Sequence, residues 1–167
     1  MPHTYTQLLV HITFGTKHRR PWIKDDFRPR LHGYMSGIVR ELGGRILAVN
    51  GTADHVHLLL ALPPSVAVAD AMRVVKTNSS RWIHEEFPEM RGFCWQAGYA
   101  AFSVSQSNLD TVRGYIQGQR EHHRKTTFQK EYIAFLRKRG IEFDIEHVRD
   151  STSSGVSSRR PESRVAE

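Results

Sequence analysis

The chain has 167 residues, with 24 Lys+Arg against 17 Asp+Glu (formal charge +7) and 39% hydrophobic residues, enough for one domain with a real core. Cys94 is the single cysteine, which excludes an intrachain disulfide and a cysteine-based zinc cluster. No apolar run approaches the roughly 20 residues of a membrane span, and Met1-Pro2-His3-Thr4 lacks the features of a secretion signal, so a cytoplasmic protein with a polyanionic partner such as nucleic acid is expected.

From Tyr5 to Phe14 the residues alternate, with Leu8, Val10, Ile12 and Phe14 on one face and Gln7, Leu9, His11 and Thr13 on the other. This predicts a first strand. A basic turn follows, Lys17-His18-Arg19-Arg20-Pro21. Apolar residues at helical spacing then predict a helix from Asp26 to Leu42, stopped by Gly43-Gly44. Arg45–Asn50 and His55–Leu62 read as the second and third strands, closed by Pro63-Pro64. A second helix is expected over Val66–Phe87, and a fourth strand centred on Tyr99–Ser105. A third helix is expected from Asn108 to Arg124, then a last one capped by Thr126 and Gln129 and ending at Gly140.

The order β-α-β-β-α-β, followed by two helices, predicts an α+β fold. The expected architecture is a ferredoxin-like split βαβ antiparallel sheet with additional C-terminal helices. Its first and third strands are central. The two helices cover one face, and the other needs the third helix, a second subunit or a ligand. Residues 1–149 form the expected domain; 150–167, rich in Ser, Arg and Glu, read as a disordered polar tail.

The sharpest chemical feature is Asp54-His55-Val56-His57. On a strand, His55 and His57 point to the same face about two 3.3 Å rises apart, and two such imidazoles can chelate one divalent ion. The plain alternative is two polar residues on a half-exposed strand, but His11 on the neighbouring strand can share their face. In the third helix, Tyr115, Gln119 and His122 lie within about 60° of one another, beside the apolar stripe of Leu109, Val112 and Ile116. Tyr115 as an ordinary edge-of-core residue is the alternative there. Gly114 and Gly118, each costing roughly 1 kcal/mol inside a helix, suggest close backbone approach or a moving helix. Lys17, Arg19, Arg20, Lys76, Arg81 and Arg120 are candidate DNA-binding residues for a phosphate-tracking groove.

A His-hydrophobic-His strand followed by a Tyr-x-x-x-Gln helix resembles the single-tyrosine HUH transposases of insertion sequences (TnpA type), including REP-associated tyrosine transposases. The stretches 11–19, 75–81 and 95–99 carry the same resemblance, which covers the chain to about Asp150. It implies His55, His57 and Gln119 as ligands of Mg²⁺ or Mn²⁺, with His122 or His123 as alternatives for the third place, and Tyr115 as the nucleophile. It further implies a homodimer and a single-stranded DNA substrate with hairpin ends, cleaved and rejoined through a 5′-phosphotyrosine. Asp54 is a candidate for orienting a ligand imidazole, or a turn former. The competing readings are a non-catalytic ferredoxin-like single-stranded nucleic-acid binding module and a domesticated transposase that only binds its hairpin.

Overall fold

A computed structural model describes residues 3–152. Four strands, β1 (Leu8–Gly15), β2 (Arg45–Gly51), β3 (His55–Leu62) and β4 (Ala100–Val104), form one antiparallel sheet in the order β2-β3-β1-β4. Helices α1 (Arg28–Glu41) and α2 (Val68–Glu86) make the two crossovers. The fold is therefore the expected α+β, ferredoxin-like sheet, with β1 and β3 at its centre.

Alternation along the central strands sorts their side chains into two cores. Ile12, Phe14, Val56, Leu58 and Leu60 are fully buried under α1 and α2, together with Leu31, Met35, Met72, Val75 and Ile83. Each such side chain contributes about 1.5–3 kcal/mol by leaving water. The opposite face carries Leu9, His11, Thr13, His55, His57 and Leu59, all buried as well. Its cover comes from the C-terminal third of the same chain. Helix α3 (Leu109–Gln117) lays Ile116 on Leu59 and Ala48, and α5 (Phe128–Lys138) lays Phe128, Tyr132 and Leu136 on Ala100 and Phe102.

The predicted third helix is divided. Gly118 (φ −88°, ψ 12°) separates α3 from the single turn α4 (Gln119–His122). A residue without Cβ is weak helix former, and here the break lets the Gln119 side chain become fully buried. The expected Thr126 cap also shifts by one residue. Thr127 is the N-cap of α5, its Oγ1 accepting from the Lys130 N–H (3.3 Å), while the Thr126 carbonyl instead accepts from His123 Nδ1 (2.9 Å). Helix α6 (Ile145–Thr152) crosses the boundary expected at 149/150; the remainder of that tail, 153–167, lies outside the described residues. No helix among the described residues is long and apolar enough to cross a membrane.

Candidate active site

Register brings the histidines together. His57 pairs with Thr13 on β1 and Asn50 on β2, while His11 pairs with Leu59. His11 and His57 are thus diagonal neighbours on one face. Their rings stack at 5.1 Å between centroids, and His11 Nε2 lies 2.9 Å from His57 Nδ1. His55, one pleat along, is clamped by Phe128 of α5, whose ring stacks on it at 4.4 Å and 12°. That contact requires glycine at position 15, directly opposite His55. A Cβ there would lie 2.9 Å from Phe128 Cε1 and 3.0 Å from the Asp54 carbonyl.

The Nε2 atoms of His55, His57 and His123 converge on the carboxylate of Glu131, at 3.8, 2.9 and 3.3 Å. One donor atom from each of these four residues lies within 4.8 Å of every other. Each imidazole is also held from behind. His55 Nδ1 donates to Asp54 Oδ1 (2.8 Å), His123 Nδ1 to the Thr126 carbonyl (2.9 Å), and His57 Nδ1 meets His11. An outer partner of this kind fixes the tautomer and aims the remaining ring nitrogen inward.

Gln119 completes the cluster. Its Nε2 donates to the Tyr115 carbonyl (3.4 Å), which turns Oε1 inward, 3.3 Å from His55 Nε2 and 3.0 Å from His123 Nε2. Asp54 already takes the Nδ1 proton of His55, so the Nε2 lone pair of that ring faces an oxygen lone pair. Such an arrangement needs a proton or a metal cation between the two atoms. The donor set therefore fits a divalent ion: imidazole nitrogens, an amide oxygen and one carboxylate, a mixed N/O set of the kind that Mn²⁺ accepts.

Tyr115 reaches the same carboxylate from the other side. Its hydroxyl donates to Glu131 Oε2, and its ring stands 5.9 Å from that of His57. Burial, then the hydrogen bond and charge of Glu131, push the phenol above its ordinary range. Burial also raises the Glu131 carboxyl, but hydrogen bonds from His123 and His57 outweigh it and hold the group ionised, well below the usual carboxylate range. Burial lowers His57 to about 4, against the pull of Glu131. Burial and the neighbouring His57 lower His11 to about 3. Both rings are neutral at pH 7. His122 Nε2 sits 3.0 Å from Glu131 Oε2 without hydrogen-bond alignment, on the wall of a cavity of about 410 Å³ that it shares with Tyr115, Glu131, Phe135, Lys138 and Arg139.

The sequence-derived site residues His55, His57, Tyr115 and Gln119 therefore meet within one chain, and both His122 and His123 lie beside them. Glu131 was not among the expected residues. Of the basic candidates, Arg19 and Arg120 line one cavity together with Arg124. Lys17, Arg20 and Arg81 are exposed, and Arg120 is exposed and paired with Asp25 (2.8 Å). Lys76 Nζ donates to the carbonyls of Gln96 and Gly98 (2.6 Å each), and Arg19 forks onto Asp54 (2.9 Å from NH2).

The family described as "Transposase IS200 like" matches residues 4–119. The transposase of insertion sequence IS200 from Salmonella typhimurium is 30% identical over 127 residues, covering 72% of this chain and 82% of that relative. The ISDra2 transposase TnpA from Deinococcus radiodurans is 25% identical over 120 residues, covering 69% of this chain and 86% of the relative. Among solved structures, a candidate transposase from Deinococcus radiodurans superimposes with a TM-score of 0.60 at 25% identity, covering 71% of this chain and 95% of that one. A REP-associated tyrosine transposase bound to a REP hairpin superimposes with a TM-score of 0.57 at 14% identity, covering 100% of this chain and 98% of that one.

Proposed function

This chain belongs to the IS200-like transposase family, and from that membership we propose that it cleaves and rejoins single-stranded DNA at hairpin ends, in the cytoplasm, through a 5′-phosphotyrosine on Tyr115. The observation that carries the reading is the meeting of the Tyr115 hydroxyl with the His55, His57, His123 and Glu131 cluster in one chain.

His55, His57 and the Gln119 amide oxygen are the proposed metal ligands, with Glu131 and His123 as adjoining donors. A bound Mg²⁺ or Mn²⁺ supplies Lewis-acid stabilisation to a phosphate oxygen. The chain's own residues do the rest. Tyr115 attacks phosphorus and its phenolic proton passes to Glu131, which already faces it. The bond to the 3′-oxygen breaks and that oxygen takes the proton from Glu131, leaving a free 3′-OH, an ionised Glu131 and a tyrosyl phosphodiester. The reverse attack by a 3′-OH rejoins the strand with no energy source, because the covalent link keeps the phosphodiester energy. The cavity beside Tyr115, with Lys138 and Arg139 on its wall, is the proposed seat of the strand.

The REP hairpin of the structural relative supports a hairpin as the ligand class. A homodimer belongs to the same proposal, and light scattering showing only monomer at micromolar concentration would remove that part. The central test incubates the chain with hairpin-bearing single-stranded oligonucleotides and Mn²⁺, and reads a denaturing gel for a protein–DNA adduct. Wild type forms the adduct; Tyr115→Phe binds the oligonucleotide and forms none. Adduct formation by Tyr115→Phe would overturn the nucleophile.

A further inference from the structure

We propose that Arg19 and Asp54 act as a positioning couple for His55, setting the ring for metal binding from two residues away; this rests on the reading of His55 as a ligand. The guanidinium of Arg19 places Nε 3.2 Å and NH2 2.9 Å from Asp54 Oδ2. The other carboxylate oxygen, Oδ1, accepts from His55 Nδ1 (2.8 Å) and from the Thr52 hydroxyl (3.0 Å). Both sides of the carboxylate are thus occupied, and the only ring nitrogen left to His55 points at Gln119 and Glu131.

The backbone that delivers Arg19 is an unusual one. His18 (φ 57°) and Arg19 (φ 52°) are the only two non-glycine residues with positive φ among those described. Consecutive left-handed residues with side chains persist only where the surroundings over-determine them, and such strain concentrates at functional sites. Here the turn is pinned on several sides. Thr16 N donates to the Asp54 carbonyl (2.8 Å), the Thr16 hydroxyl to the Arg20 carbonyl (2.7 Å), Arg19 N to the Thr16 carbonyl (3.0 Å), and Lys17 N to the Cys94 carbonyl (2.8 Å). The turn and the residue it braces are therefore tied through both backbone and side chain. A surface arginine meant for phosphate alone needs no such frame; Arg19 is half-buried and its fork is spent on Asp54. A carboxylate clamped by a fork cannot rotate away, so the Nδ1 proton of His55 stays in place and Nε2 keeps its lone pair inward.

The test titrates the metal-free full chain with Mn²⁺, followed by the paramagnetic signal of free ion, and with Co²⁺, followed by visible absorption. Circular dichroism melts check folding of each variant. Asp54→Asn and Arg19→Gln each weaken Mn²⁺ binding about 10- to 100-fold, the usual cost of losing an outer-shell partner. The double variant is no weaker than Asp54→Asn alone, because Arg19 acts through Asp54. Arg19→Lys, which keeps the charge and loses the fork, falls between wild type and Arg19→Gln. In ¹H–¹⁵N spectra the His55 Nδ1 proton is sharp in wild type and lost in Asp54→Asn. If Asp54→Asn fails to fold, the two Arg19 variants decide the matter. Wild-type Mn²⁺ affinity in Arg19→Gln, with weakened metal-free binding to an oligonucleotide, would make Arg19 a phosphate contact and overturn the couple. A wild-type chain that binds neither ion would overturn the metal reading and this inference together.

Discussion

The hydroxyl of Tyr115 and the carboxylate of Glu131 are joined by a hydrogen bond although they sit on different helices, α3 and α5, of the same chain. Glu131 also lies 2.9 Å from His57 Nε2, so one acidic group links the proposed nucleophile to the proposed metal ligands. Its charge is one cause, after burial, of the raised phenol pKa. Glu131→Gln keeps the shape and removes the charge, so Tyr115 ionises nearer its ordinary range of about 10. Ultraviolet difference titration, with Tyr115→Phe as the blank, reads this; an unchanged titration curve contradicts it.

His57→Ala removes a ring wedged between His11 and Glu131 and deprives the buried carboxylate of one of its hydrogen-bond partners. Metal affinity falls by more than the roughly 10–100-fold that losing an outer-shell partner costs, and adduct formation falls with it. Calorimetric titration with Mn²⁺ measures the first. Chelation by EDTA abolishes adduct formation and leaves the circular dichroism spectrum in place, because both hydrophobic cores are made of apolar side chains and not of the proposed ligands.

Gly15→Ala forces a methyl group against Phe128, the Asp54 carbonyl and the Gln96 amide oxygen at 2.9–3.0 Å. Overpacking of this kind costs about 1–3 kcal/mol, read as a lower urea midpoint. The displaced ring is the one stacked on His55, so Mn²⁺ affinity falls as well. Wild-type stability in this variant would show that α5 can shift freely.

His32, on α1 and remote from the site, gives a pH signature. Burial, and then the charge of Arg28, lower it from 6.5 to about 4. A histidine depressed in the folded state is neutral there and takes up a proton only on unfolding. Its contribution is whole above pH 6.5 and is lost as pH falls from there through about 4. His32→Gln therefore shows a shallower decline of the urea midpoint between pH 6.5 and 4 than wild type, with the remaining acid sensitivity left to His11 and His57.

The sheet could be read from the residues because the alternation over Val10–Phe14 and an uninterrupted His55–Leu62 run fix which side chains share a face, although Leu8, expected on the core face, lies exposed at the start of β1. His55, His57, Tyr115 and Gln119 followed from spacing and resemblance. Glu131 gave a weaker signal. It stands three residues after Phe128 and one before Tyr132, inside the apolar stripe of α5, where an acidic residue is out of place; read as one more charge on a polar helix, it passes unnoticed. The role of Arg19 was hidden for another reason. A basic turn suggests phosphate until tertiary structure shows Asp54 in its grip. The helix break at Gly118 was signalled by the glycine itself, but only the burial of Gln119 explains it.

Phe128 and Glu131 lie downstream of the 4–119 stretch shared with the family, yet one clamps His55 and the other reaches Tyr115. During translation the strands and the tyrosine leave the ribosome first, with their polar face still bare. A nascent or truncated chain ending near residue 119 would therefore carry His55, His57, Tyr115 and Gln119 while lacking the acid and the aromatic lid packed against them, so the cluster is complete only once the last helices are made.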